Sequence, residues 1–267
     1  MKNVLLRPRI SFFDMAGCEG CQLAILDCED IFLELVDLVE IVEFREAMSE
    51  TAPRFDIAFV EGSIHREIDA DRLRDIRARS RWLVALGGCA CHGNVQARAN
   101  GWSPAENLQR VHGLDTVHRV QTDNRYWPLW AHTRVRALHE VVKVDYLLRG
   151  CPVDRDEFLH LVKRLLAGSR PGFAAQPVCV ECRRHGHECV FLHGETCLGQ
   201  VTWGGCGAVC IAGGYRCDGC RGLLPNANLA SHRQLLRERG LDPKTIDQRY
   251  RLFLSGEITA QDAPDEQ

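Results

Sequence analysis

Eight cysteines crowd into one short stretch towards the C-terminal end of the chain. They lie between Cys179 and Cys220, within 42 residues, at intervals of x2, x6, x7, x8, x3, x6 and x2. Glycines and few large aliphatic side chains separate them, so the stretch cannot build an apolar core of its own. Something else must offset the entropy of ordering it, which is about 1–2 kcal/mol per residue for the backbone. Eight thiols can do so as four disulfides, two zinc sites or two iron–sulfur clusters.

The spacing of these cysteines favours iron–sulfur clusters. The N-terminal apolar run of three residues is too short for a signal peptide, and no window approaches the roughly 18 apolar residues of a membrane span. We therefore expect a cytoplasmic protein, in which disulfides are rare. Two structural zinc sites usually need four Cys-x2-Cys pairs, and this stretch has only two. Iron–sulfur clusters accept ligands that are scattered along the chain.

Composition excludes several other classes of function. The net charge is −3, no five like charges run together, and 45% of the residues are apolar. Neither a nucleic-acid footprint nor a membrane-surface face is indicated. The 267 residues are enough for two domains, and residues 168–176 read as a linker. We predict a first domain over residues 1–167 and a cysteine-rich second domain over residues 168–267.

The first domain alternates strands with helices. Strands are predicted at 9–13, 39–44, 55–60, 82–86 and 143–148. Helices are predicted at 22–35, 66–79, 130–141 and 154–166, and two more near 229–239 and 244–254. Such alternation predicts an α/β fold with a doubly wound, mainly parallel, flavodoxin-like sheet.

Four further cysteines follow predicted strands. Cys18 and Cys21 come after the first strand, Cys89 after the fourth and Cys151 after the fifth, each beside glycine. The carboxyl ends of parallel strands share one edge of a sheet, so we expect these thiols to lie close together. Four thiolates suit a [4Fe–4S] cluster or an all-cysteine zinc site. The chain lacks the glycine-rich G-x-G-x-x-G and P-loop patterns, which argues against nucleotide binding by this sheet.

Two cysteines remain outside these groups. Cys28 lies on a predicted helix and reads as a small buried hydrophobe. Cys91 stands two residues after Cys89 and is an alternative ligand in its place. We favour Cys89 because it comes first after the Gly87-Gly88 turn.

Several polar residues accompany the cysteines. Glu19 and Glu61 flank the first group, and we expect solvated or interface carboxylates there. His92 is expected to be a polar loop residue, and the backbone amides of Gly17, Gly88 and Gly150 are candidate donors to a cluster sulfur. The histidines among the last eight cysteines are expected at the surface or behind the ligands. They are His185, His187 and His193.

The motifs together resemble the small subunit of nickel–iron hydrogenases. The resemblance rests on Cys18-x2-Cys21, Glu61-Gly62-Ser63, Gly88-Cys89-Ala90, Gly150-Cys151-Pro152 and, further on, CLGQVTWGGC from Cys197 to Cys206 and Cys217-x2-Cys220. The related electron-transfer subunit of respiratory complex I shares part of the pattern. It typically carries an adjacent Cys-Cys pair and lacks the C-terminal cysteine segment, whereas this chain has no such pair and does have the segment.

The resemblance implies three [4Fe–4S] clusters, each held by four cysteines. The proximal set would be Cys18, Cys21, Cys89 and Cys151. The distal set would be Cys179, Cys182, Cys189 and Cys197. The medial set would be Cys206, Cys210, Cys217 and Cys220. Membrane-bound relatives carry histidine where Cys179 stands, so the chain looks like a cytosolic hydrogenase of the sulfhydrogenase or methyl-viologen-reducing type.

The resemblance also implies a division of labour between subunits. The nickel–iron site would lie on a separate large subunit, and this chain would contain no catalytic residue. Its electrons would pass to a flavin or ferredoxin-like, diaphorase-type subunit. Two alternatives stay open at this point: a zinc-stapled structural subunit without redox function, and a complex I-like, quinone-linked electron-transfer subunit.

Overall fold

Five parallel strands form the centre of the fold, in the order β2-β1-β3-β4-β5. They are β1 (Arg9–Asp14), β2 (Glu40–Phe44), β3 (Phe55–Glu61), β4 (Ser80–Leu86) and β5 (Tyr146–Leu148). This order is that of flavodoxin-like sheets. The predicted α/β fold class is confirmed.

The structure is a computed structural model that describes residues 7–113, 118, 133–173 and 175–258. For residues 29–32 and 34 it describes the backbone alone. Within these ranges, no helix combines the length and the apolar character that crossing a membrane requires.

Alternate residues of the strands are buried on opposite faces of the sheet. On one face, the Phe12 ring stacks on Phe59 at 5.0 Å, and Phe158 packs against Phe59 at 5.3 Å. On the other face, Phe13 and Val60 pack with the helix that precedes β4. Both faces of the sheet are therefore buried, which explains why the strand sequences are nearly continuous apolar runs.

Helices cover both faces of the sheet. They are α1 (Gly20–Leu26), α2 (Glu29–Leu38), α3 (Glu67–Arg79), α4 (Gly87–His92), α5 (Pro104–His112) and α6 (Arg155–Leu166). Short 3-10 helices span Asn94–Gly101 and Leu138–Glu140. Helix α6 starts at Asp154, whose side chain accepts a hydrogen bond from the Glu157 backbone N–H at 3.0 Å, as the sequence predicts.

The cysteine-rich part has a small core of its own. Its helices are α7 (Val178–Arg184), α8 (Val209–Ala212), α9 (Leu229–Glu238) and α10 (Pro243–Phe253), with a 3-10 helix at Val190–His193. Leu198, Leu236, Tyr250 and Leu254 are fully buried there, together with several cysteines. The two C-terminal helices thus supply apolar surface that the cysteine stretch lacks. The boundary at residue 167 stays a prediction.

Two predicted helices differ from the structure. The helix predicted over 22–35 is two helices, because α1 closes at Asp27, whose N–H bonds back to Leu23 and Ile25. Part of the helix predicted over 130–141 lies outside the described residues. In the part that is described the prediction is wrong, because Arg136 exchanges two backbone hydrogen bonds of 2.9 Å with Ile64.

Candidate metal centres

The strand register brings the proximal set to one edge of the sheet. Asp14 pairs with Glu61, Glu61 with Leu86 and Leu86 with Leu148, so four strands end at the same level. The loops that leave these ends carry the cysteines. Cys18 precedes α1 and Cys21 lies in its first turn. Cys89 lies in α4, and Cys151 follows β5.

The four thiols of the proximal set act on one another. Burial raises the pKa of Cys89 to about 12, and the charges of Cys151 and Cys18 add to that rise. Burial also raises the pKa of Cys21, to which Glu61, Cys151 and Cys89 contribute. Cys18 and Cys151 are exposed, whereas Cys21 is buried. The proximal set is therefore partly exposed to solvent. Its thiols would lose their protons readily only beside a positive charge, such as that of a metal centre.

Glycine lets the backbone approach this group. Gly87 has φ +84°, and a methyl group there would overlap the Cys21 sulfur. The Gly88 N–H donates to the Gly150 carbonyl at 2.6 Å, which ties the Cys89 loop to the Cys151 loop. The expectation that this amide serves a sulfur is wrong, since it is used between the loops.

Glu61 has a structural task that the sequence did not reveal. It is 3% exposed, and its carboxylate accepts the backbone N–H groups of Cys21 at 3.3 Å and Gln22 at 3.0 Å. It thereby caps the first turn of α1, where Glu19 offers no side-chain cap. The expectation of a solvated or interface carboxylate holds for exposed Glu19 and is wrong for Glu61. Burial raises the pKa of Glu61.

Cys91 and Cys28 point away from the proximal set. The Cys91 thiol is buried and donates at 3.5 Å to the carbonyls of Ala85 and Leu148, between two strands. Cys28 is buried and donates to Ala24 at 3.6 Å. Cys89, rather than Cys91, therefore shares the edge of the sheet with Cys18 and Cys151.

His92 also departs from expectation. It ends α4 and is 2% exposed, packed beside Glu257, whose carboxylate lies 4.0 Å from Nδ1. Burial and then the Arg149 charge lower its pKa to about 3, so the ring is neutral. The expectation of a polar loop residue is wrong. His185 and His193, in contrast, are exposed.

The distal set lines one recess in the cysteine-rich part. Cys179 and Cys182 stand one turn apart on α7, and Cys189 and Cys197 face them across a lining that includes Val178, Phe191 and Ile211. Burial, then Cys197, Cys182 and Cys189, raise the pKa of Cys179 to about 12. Four thiols in an apolar recess match the donor chemistry of an iron–sulfur cluster.

The medial set lies between the other two. Burial and then the Cys206 charge raise the pKa of Cys220 to about 11, with smaller effects from Cys151 and Cys210. Cys217 has its pKa raised by burial and by Cys197, Cys220 and Cys206. Hydrogen bonds agree with this order, since Asn94, just after α4, donates to the Cys220 carbonyl at 3.1 Å and the Cys217 N–H donates to the Cys197 sulfur of the distal set.

Backbone amides donate to one sulfur at the junction of the medial and distal sets. The Cys197 sulfur accepts hydrogen bonds from Cys217 N–H at 3.3 Å and Gly199 N–H at 3.4 Å. The three sets therefore follow one another in the order proximal, medial, distal. All fourteen cysteines are free of disulfides.

Among the described residues, no group of three or more His, Cys, Asp or Glu side chains has the arrangement of a site for one metal ion.

Comparison with known proteins identifies the family. Residues 18–165 match the model of the NADH ubiquinone oxidoreductase 20 Kd subunit family, more than half of the chain. The chain belongs to this family.

Its relatives within the family are hydrogenase subunits. The chain is 34% identical to sulfhydrogenase 2 subunit delta of Pyrococcus furiosus, over 86% of this chain and 92% of the relative. It is 30% identical to a subunit of the F420-non-reducing hydrogenase of Methanocaldococcus jannaschii, over 82% of this chain and 83% of the relative. The crystal structure of an NAD+-reducing [NiFe]-hydrogenase contains a chain with 28% identity and a TM-score of 0.52, covering 63% of this chain and 96% of that one. The protein is an oxidoreductase subunit of the hydrogenase type.

Sequence reasoning missed the residues that connect the sets. Asn94 donates from Nδ2 to the Cys220 carbonyl at 3.1 Å across 126 positions, and Glu257 accepts the Leu223 N–H at 2.7 Å. Arg221 is 4% exposed and bonded to three separate segments. The only sequence signal was the position of Arg221 directly after a predicted ligand.

Proposed function

We propose that this chain is the electron-relay small subunit of a nickel–iron hydrogenase. Its proximal, medial and distal sets would each hold one [4Fe–4S] cluster. The observation that carries the proposal is the order of the three sets: the Cys220 carbonyl accepts a hydrogen bond at 3.1 Å from Asn94, next to the helix of Cys89, and the Cys217 N–H donates to the Cys197 sulfur at 3.3 Å. Electrons moving one at a time require such a series of neighbouring centres.

The residues present fit these clusters. Each set supplies four thiols, and the lack of a side chain at Gly87 makes room for the Cys21 sulfur, which a methyl group there would overlap. When bound, each cluster would accept and release one electron. The cysteine sulfurs would anchor it, and the apolar walls of the distal recess would keep water away.

Backbone hydrogen bonds would tune the distal set. The Cys217 and Gly199 amides that donate to the Cys197 sulfur favour extra negative charge there. Such donors raise the reduction potential of a bound cluster.

The exposed surfaces support two partners. Cys18 and Cys151 are exposed at the sheet edge, where we place the large subunit that carries the nickel–iron site. Apolar side chains are exposed beside the medial and distal sets, where we place a flavin or ferredoxin-like, diaphorase-type subunit. They are Leu192, Val209 and Tyr215. The similarity to a chain of an NAD+-reducing hydrogenase supports such an acceptor. We also propose a cytoplasmic location, because a dense cysteine pattern in a cytosolic protein more often binds metal than forms disulfides.

Metal analysis of the native complex tests the proposal. We expect this chain to contribute about twelve iron atoms and about twelve acid-labile sulfides after anaerobic purification, beyond those bound by the partner subunits, because each of three cubanes contains four of each. The large subunit should co-purify, and hydrogen should reduce clusters that electron paramagnetic resonance (EPR) detects. Zinc without sulfide, or a colourless complex, would refute it.

A further inference from the structure

The side chain of Arg221 joins the loops of the proximal and medial sets. It follows Cys220 directly, and its side chain is 5% exposed. Its guanidinium donates from Nε to the Gly204 carbonyl at 2.7 Å, from Nη1 to the Arg149 carbonyl at 2.8 Å and from Nη2 to the Glu157 carboxylate at 2.6 Å.

The three acceptors stand next to two cysteine loops. Arg149 lies two residues before Cys151, and Gly204 lies two residues before Cys206. Glu157 is in the first turn of α6, which follows the Cys151 loop. One buried cation therefore spans the proximal set, the medial set and the helix that supports them.

The neighbourhood leaves little freedom for this bridge. Gly205 has φ +111°, and a methyl group there would overlap both the Glu157 carboxylate and the Arg221 guanidinium. The Arg149 side chain returns a hydrogen bond to the Arg221 carbonyl at 3.4 Å and stacks over Trp203 at 5.0 Å. Arg149 and Arg221 thus each donate to the other's backbone carbonyl, which connects the Cys151 loop with the Cys220 loop.

We propose that Arg221 is a positioning residue that fixes the separation between the proximal and the medial cluster. This inference rests on the proposed function. Arginine suits the task because its planar fork addresses several acceptors at once, whereas lysine is a flexible point charge. Loosening the bridge would let the Cys151 and Cys206 loops drift apart without removing a ligand.

The test compares two single variants of the complete, anaerobically purified complex. Arg221→Lys retains the charge and loses the fork. Arg77→Lys is the matched control, because Arg77 also binds one carboxylate and two carbonyls, those of Asp145, Ser80 and Arg81, away from the cysteines. A third variant, Glu157→Gln, weakens the same bridge from its other side.

Three quantities are measured in each variant: iron per chain, the magnetic coupling between the reduced proximal and medial clusters by EPR, and the rate of electron transfer between them. We expect unchanged iron and a changed coupling in Arg221→Lys and, more weakly, in Glu157→Gln. Rates that depend on fixed geometry fall steeply with ångström-scale displacement, so transfer should slow by about tenfold. Arg77→Lys should match the wild type.

Other outcomes overturn the inference in distinguishable ways. Unchanged coupling, with a transfer rate within about twofold of the wild type, would remove the positioning role alone. Iron lost from both bridge variants would show that Arg221 is needed to assemble clusters rather than to space them. A wild-type complex without iron would overturn the proposed function and this inference with it.

Discussion

Replacing Gly87 by alanine should empty the proximal set while sparing the other two. Gly87 begins α4 with φ +84°, a left-handed conformation, and a methyl group there would lie well inside the 3.0 Å that Cβ atoms essentially never breach, against the Cys21 sulfur. The obstacle is a buried ligand on a capped turn. It cannot swing aside as a surface side chain can.

The expected effect of Gly87→Ala has two parts, a loss of folding stability and a displacement of the Cys21 sulfur. The left-handed backbone costs a residue with a Cβ about 1–2 kcal/mol of folding free energy. The Cys21 sulfur must also move by about 1 Å, roughly twice the 0.5 Å within which a functional constellation must be held. We expect the strain to lower stability and the displacement to prevent cluster binding.

The iron content of the variant distinguishes the backbone strain from the displacement of the sulfur. Gly87→Ala should contain about eight iron atoms per chain instead of about twelve, and it should lack the proximal EPR signal. Gly168→Ala is the control, since Gly168 has φ +67° and open space around its Cα. It should lose similar stability in urea unfolding and keep all its iron.

The iron result decides whether the reasoning stands. A Gly87→Ala protein with the full iron content and an unaltered proximal signal would refute the claim that this glycine shapes the site. Equal iron loss in both variants would attribute the effect to backbone strain alone.

Three other expectations concern single residues. Cys89→Ser should lower the iron content by about four atoms per chain, whereas Cys91→Ser should keep it, because the Cys91 thiol donates to strand carbonyls; iron loss in Cys91→Ser with full iron in Cys89→Ser would reverse the assignment, and equal loss in both would contradict the expected contrast. Asp154→Ala should lower the free energy of unfolding by about 1 kcal/mol in urea titrations, because it removes the cap of α6; an unchanged midpoint would show that the cap is dispensable. Burial lowers the pKa of His232, so as the pH falls below about 6.5 the unfolded state takes up a proton before the folded state does. Stability should therefore drop between pH 7 and 5, and His232→Gln should flatten that profile; parallel profiles would contradict this.

The sheet could be predicted because its signals are local. Four of the five strands are short apolar runs that lead into glycine or a cysteine motif, whereas β2 leads into Arg45, and each prediction lies within a few residues of the observed strand. Helix α4 was missed because it begins with Gly87 and Gly88, which have poor helix propensity. Tertiary packing at the strand ends overrides that preference.

The ligand sets could be anticipated from spacing, but their surroundings could not. Glu61 caps a turn 40 positions away, and Arg221 reaches Glu157 across 64. Such pairs leave no periodic trace in one sequence. Cys91 is a similar case, since only the structure shows its thiol between β4 and β5 rather than at the edge.

The hydrogen bonds that Glu61 accepts from the turn of Cys21 bear on how the proposed cluster would be inserted. Since a carboxylate of the chain itself caps that turn, we expect the Cys21 loop to keep its shape without a bound cluster. An assembly factor that delivers iron and sulfide would then find the Cys21 loop already folded. Chelation should accordingly bleach the protein while leaving its far-ultraviolet circular dichroism from the sheet intact, so that the emptied subunit can be refilled.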